Sequence, residues 1–156
     1  MEHVTNHFTT DELEFSEKAV RLGLDNTCPP EYYANRLNLA EHLELIRNHF
    51  DRPVRVISGY RNDVVNKAVG GSKTSAHRTT SAADIRVPGV PVLDVCQWCA
   101  DNIEDYDQII NEFPESGNGW MHLGFTNGTP RRQLLTAVKR MVNGKLETVY
   151  LPGLVA

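Results

Sequence analysis

The chain has 156 residues, 16 Lys+Arg against 20 Asp+Glu and a formal net charge of −4. That length predicts one domain, residues 1–156, with one sizeable core, and the mild acidity removes the electrostatic reason to expect nucleic acid or an anionic membrane as partner. No apolar run approaches the roughly 20 residues that span a bilayer, the start Met1-Glu2-His3-Val4 lacks the segments of a signal peptide, and three cysteines are too few for a disulfide framework. A soluble monomer made in the cytoplasm is the expectation.

Taken in order, Thr9-Thr10-Asp11-Glu12 carries a capping-box pattern and opens a helix that Gly23 ends. Leu13, Ala19, Val20 and Leu22 are its apolar positions. Pro29-Pro30-Glu31 opens a second helix, with proline in the first turn and an acid at the positive end of the dipole. Leu37, Ala40, Leu43, Leu45, Ile46 and Phe50 form its apolar stripe, and Pro53 marks its end. Val54 to Ile57 reads as a strand, with Ser58-Gly59-Tyr60-Arg61 leaving it as a loop. Asn62 to Val69 is a short helix closed by Gly70-Gly71, and Ala82 to Val87 a second strand. Pro91 to Ile103 has helical periodicity through Val92, Val95, Cys96 and Cys99. Tyr106 to Phe113 and Trp120 to Phe125 read as two strands joined by a turn, and Asn143-Gly144 is a two-residue hairpin signal. Helices first and mostly antiparallel strands later predict an α+β domain.

The chemistry concentrates in Ser75 to Asp84 and in His122. His77 and Asp84 converge if the loop between them folds back onto the second strand, and His122 on another strand completes three ligands. Two imidazoles and a carboxylate suit zinc and leave a fourth position for water, which is hydrolytic equipment. His3 and His7 lie in a terminus expected to fray, and His42 and His49 on a helix; none is assigned a role. Cys96-Gln97-Trp98-Cys99 has the spacing of a redox pair. Inside a helix, however, positions three apart share a face, and two small buried side chains are the simpler reading. Lys139, Arg140 and Lys145 are the solvated face of the last hairpin.

Ser58-Gly59-Tyr60-Arg61, Ser75-x-His77-x6-Asp84 and Trp120-Met121-His122 occur in that order. Together they resemble the motifs of zinc D-alanyl-D-alanine metallopeptidases, found among phage and bacterial peptidoglycan peptidases. The nearest branch is the C-terminal-domain type of the D-alanyl-D-alanine carboxypeptidase subfamily, and the resemblance runs from about Phe8 to Tyr150. It implies a small, mainly antiparallel sheet flanked by helices, with Zn2+ on His77, Asp84 and His122. It also implies Arg61 as the anchor for a substrate carboxylate, a task suited to its two-pronged fork. Ser75 hydrogen-bonds substrate or orients its loop.

Three positions depart from the family pattern. Thr80 stands where the loop usually has glycine, Trp120 where many relatives have a histidine, and Gly119 where several have a glutamate. The general base must therefore come from elsewhere. If residue 112 pairs with 120 or 122 across the hairpin, Glu112 shares a sheet face with His122. That hairpin also resembles the one in the hedgehog signalling domain, which shares the metal fold and has its acidic residue at the matching place. Glu115 in the turn and Asp107 on the opposite face are weaker candidates. The expected function is zinc-dependent hydrolysis of peptidoglycan stem peptides, as a D-alanyl carboxypeptidase or endopeptidase, with a phage endolysin as one form. The alternative is a non-catalytic zinc-containing wall-binding or virion-associated protein. Without an export signal, the wall is reached after release or from a particle.

Overall fold

Thr9 and Glu12 form the capping box at the head of α1 (Thr10–Leu13), in a computed structural model that describes residues 2–156. The helix lasts one turn. α2 (Glu17–Leu22) starts afresh under Ser16, whose hydroxyl accepts from the Ala19 amide, and Gly23 ends it in the left-handed conformation. The single helix expected from Thr9 to Gly23 is thus broken at its middle. The carbonyls of Leu13 and Phe15 accept the amides of Tyr60 and Gly59, at 2.7 and 3.0 Å, and are lost to a helical ladder. Val20 and Leu22 stay exposed.

A 3-10 turn, Pro30–Tyr32, leads into α3 (Tyr33–Phe50), which left-handed Asp51 terminates. Its buried positions are Leu39, Ala40, Leu43 and Ile46. Leu37 and Leu45 were expected in this stripe and are exposed instead. At about 100° per residue both point more than a quarter-turn from the buried face, and Leu39 fills the place.

β1 (Arg55–Ser58), α4 (Asp63–Ala68), β2 (Ala82–Arg86), α5 (Val92–Asn102), β3 (Gln108–Glu112), β4 (Trp120–Gly124), β5 (Gln133–Val142) and β6 (Lys145–Pro152) follow. The strands make one six-stranded sheet in the order β1-β2-β4-β3-β5-β6. Neighbours are antiparallel except for β3 and β5, which run parallel. This is the α+β arrangement expected.

Because side chains alternate across a strand, Ala83, Ile85, Ile109, Met121 and Leu123 turn to one face. There they form the core with residues of α3 and α5. Cys96 and Cys99 are buried in that layer, and desolvation pushes the Cys96 thiol up to about 12, which suits an inert packing group. The other face of the same strands carries Asp84, His122, Ile110 and Glu112. At the far end, Asn143 and Gly144 both have positive φ (51° and 78°), the conformation of a two-residue hairpin loop, and they join β5 to β6.

The N-terminal segment is docked rather than frayed. His3 bridges to Thr9, and the His7 ring lies 2.7 Å from the Glu44 carboxylate. No helix among the described residues is long and apolar enough to cross a membrane.

Candidate metal centre

The polar face of the sheet can be followed row by row. Asp84 pairs with His122 and His122 with Ile110, so these three side chains stand side by side over β2, β4 and β3. One step along, Trp120 pairs with Glu112. Glu112 is therefore two residues from Ile110 on the same face as His122, the register on which its candidacy depended.

His77 comes from outside the sheet, on a 3-10 turn (Ala76–Thr79). Ser75 caps that turn, its hydroxyl accepting from the His77 amide at 3.3 Å. Thr80 closes it at φ 54°, so the left-handed turn is kept although the residue is not glycine. The Thr80 hydroxyl is buried there without a partner.

Nδ1 of His77 lies 2.7 Å from the Gly59 carbonyl. A carbonyl can only accept, so that nitrogen carries the proton and Nε2 presents its lone pair inward. Nε2 is 3.3 Å from Asp84 Oδ1, and His122 Nδ1 is 3.0 Å from the same oxygen. One donor atom from each residue lies within 4.8 Å of the other two, and all three residues are buried. Donors about 2.0–2.2 Å from a tetrahedral zinc lie roughly 3.3–3.6 Å from one another. The two imidazole–carboxylate spacings are close to that, and two imidazoles with one carboxylate are a zinc-type donor set. The residues fit the metal.

Burial opposes the charge of Asp84, but the two imidazoles outweigh it and hold its carboxyl below the usual range. Burial also opposes protonation of His122; the Asp84 hydrogen bond overcomes it and raises that pKa, whereas in His77 burial prevails and lowers it. Glu112 is half-buried, and burial followed by the Asp84 charge pushes it up to about 7. The Trp120 indole N–H is near enough to favour the ionised form slightly, yet it lies outside hydrogen-bond geometry and is buried unpartnered.

Arg61 donates its amide to the His77 carbonyl at 2.9 Å and reaches the Ser75 hydroxyl with Nη2 at 3.4 Å. Its Nε is buried without a partner, and burial lowers its pKa although it stays a cation. Of the other two acids, Asp107 also lines the cleft but is held by Arg131 at 2.8 Å, and exposed Glu115 accepts the Lys139 amide at 3.1 Å.

Two supporting residues escape a search for reactive side chains. Gly59 gives its carbonyl to His77 and its amide to Phe15; a Cβ there would lie 2.1 Å from the Leu13 carbonyl oxygen. The Ser-Gly-Tyr-Arg motif contains it, which is the only sequence signal. Asn26 has none. Its amide donates to the Glu14 and Tyr60 carbonyls (2.8 and 2.7 Å) and accepts from the Asn62 amide (2.9 Å), fixing the loop on both sides of Arg61.

His77, Asp84, His122, Glu112, Arg61 and Ser75 line one cleft of about 1000 Å³, which continues over β3, β5 and β6. No curated protein is significantly similar to the chain. The Peptidase M15 family model, in contrast, matches residues 6–123, a span that holds the cluster, Arg61, Ser75 and Glu112. A match over more than half of the sequence, ending just past the last of three converging donors, shows that the chain belongs to the M15 family of zinc-dependent peptidases.

Proposed function

We propose that His77, Asp84 and His122 are the zinc ligands of a peptidase that cuts the stem peptides of bacterial peptidoglycan, either as a D-alanyl carboxypeptidase or as an endopeptidase. The observation that carries this reading is the convergence of three buried donors in a cleft that also holds a raised-pKa carboxylate and a buried guanidinium. Zinc bound there supplies a Lewis acid for the scissile carbonyl and acidifies the attacking water.

Glu112 takes the proton from that water and delivers it to the departing amine as the C–N bond breaks. Its place one step along the sheet face from His122 puts the carboxylate within reach of both halves of this transfer. Gly59 fixes the tautomer and direction of His77, and Ser75 orients its turn. Arg61 grips a carboxylate of the substrate. Its free Nε and desolvated fork favour an anion that brings its own two acceptors.

The three ordered motifs support placing the chain in the C-terminal-domain branch of the D-alanyl-D-alanine carboxypeptidase subfamily. The Glu112 hairpin supports kinship with the hedgehog metal fold. Synthesis in the cytoplasm, with access to the wall after lysis or from a virion, fits a phage-type enzyme. Mass spectrometry of defined stem peptides incubated with zinc-loaded protein tests the activity, with Glu112→Gln as control. Zinc-dependent appearance of a new amine supports it. Tight peptide binding with no cleavage in any sample would leave a wall-binding protein instead.

A further inference from the structure

The cleft does not end at the metal cluster. The row that carries Asp84, His122 and Ile110 continues through Ile110's parallel partner Leu135 on β5. The flanking row carries Gly124, Gln108 and Gln133, and the other carries Glu112, Ala137 and Tyr150. Ile110, Leu135, Gln108, Gln133 and Tyr150 all line the cleft. β3, β5 and β6 therefore build an outer chamber of the same cleft, with an apolar floor of Ile110 and Leu135 between two polar walls.

One wall is unusual. Gln108 Nε2 donates to Gln133 Oε1 at 2.7 Å, and among the described residues neither side-chain amide makes another hydrogen bond. The pair is left with one amide oxygen and one amide nitrogen that have no partner, whichever way both amides are turned. That is the complement of a peptide unit, which offers one N–H and one C=O. Opposite it stands the exposed ring of Tyr150. Leu135, Gln133 and Tyr150 all lie beyond residue 123, where the family match stops.

We propose that this chamber is an acyl-side subsite for the substrate peptide, making the protein a peptidase that requires an extended chain N-terminal to the scissile bond. The inference rests on the peptidase reading of the metal cluster. Leu135 is two strands from His122, about 10 Å at sheet spacing, which an extended peptide covers in roughly three residues. With the scissile carbonyl at the cluster and a carboxylate at Arg61 on the opposite side, the second and third acyl-side residues cross Ile110 and Leu135. An aliphatic side chain there packs on the floor while its backbone pairs with the two glutamines.

The test uses zinc-loaded protein and two matched peptide series with one to four acyl-side residues. One series is cleavable; the other has a methyleneamine in place of the scissile amide. Binding of the second series is expected to tighten about 10-fold between one and three residues, the worth of burying one aliphatic side chain. Both Leu135→Ser and Tyr150→Ala are expected to reduce that gain to less than about 2-fold, whereas Met141→Ser, on the exposed far part of the hairpin, keeps it. An affinity series that is flat with length in the native protein overturns the subsite, whether or not the cleavable series is cut. A series that rises while no peptide is cut retains the subsite and sinks the peptidase reading.

Discussion

The burial that makes Glu112 a serviceable base also costs the fold. Its folded-state pKa of about 7 lies above the 4.5 of an ordinary glutamate, so the folded protein prefers the protonated carboxyl. Stability is then fully present below about 4.5 and is lost as pH rises through 7. In zinc-free protein, Glu112→Gln should be more stable than the native chain at pH 8 by about 2 kcal/mol, with the difference vanishing near pH 4.5. Urea titrations at the two pH values read this directly; a variant less stable at pH 8 would contradict it. The same substitution should retain zinc and lower kcat by about 10²–10⁴-fold, and full activity would remove Glu112 as the base. Thr80 presents a second residue-scale cost, a β-branched side chain at φ 54° with a buried, unpartnered hydroxyl. Thr80→Gly should raise stability by about 1 kcal/mol, since relief of the left-handed strain and of the orphaned hydroxyl exceeds the lost methyl packing; a lower melting temperature would show that packing dominates. The convergence of His77, Asp84 and His122 was legible because ordered motifs carry metal-type side chains, and the place of Glu112 on their face because a strand alternates its side chains. Asn26 was not, because it serves backbone groups, and the sequence does not show which of those need a partner.

Among the elements, the loop between β1 and α4 positions both His77 and Arg61, and Asn26 clamps it. Removing the Asn26 side chain strips partners from the Glu14 and Tyr60 carbonyls and the Asn62 amide. Asn26→Ala should cost about 2–3 kcal/mol and raise KM more than it lowers kcat, through a loosened Arg61. Asn26→Asp is the sharper control, since it keeps the shape and the acceptor but turns a carboxylate on two carbonyls; tolerance of it, read by thermal unfolding and KM, would show that the clamp does not matter. The same loop explains why helix reading failed between Thr9 and Gly23. Hydrophobic spacing and the Thr9 cap are local signals; the cap and the buried places of Leu13 and Ala19 hold, whereas Val20 and Leu22 are exposed. The amides that break the helix belong to Gly59 and Tyr60, far along the chain. The β5–β6 turn was legible for the opposite reason: Asn143-Gly144 sets its own backbone, with no distant partner needed.

On the scale of the whole molecule, the core and the metal cluster occupy opposite faces of one sheet. Leu39, Leu43, Ile85, Met121 and Leu123 pack without reference to the donors. In the absence of metal, Asp84 still has His122 Nδ1 at 3.0 Å, a donor whose pKa the contact raises, so its charge is not left bare. The fold should therefore survive chelation, unlike that of a small zinc domain whose metal replaces the core. Zinc held by the cluster would nevertheless join three separate pieces, the 3-10 turn, β2 and β4, whose donors come together only in the folded chain. At free zinc about 1,000-fold above its dissociation constant, linkage contributes about 4 kcal/mol. For a chain of this size that raises the melting temperature by about 10 °C. Calorimetry of chelated and zinc-loaded protein should show this shift, and His77→Ala or His122→Ala should each abolish it while leaving a cooperative transition. An unfolded chelated protein would mean that the site, rather than the core, holds the sheet together. An unchanged melting temperature with zinc would mean that the three donors do not act as one ligand set.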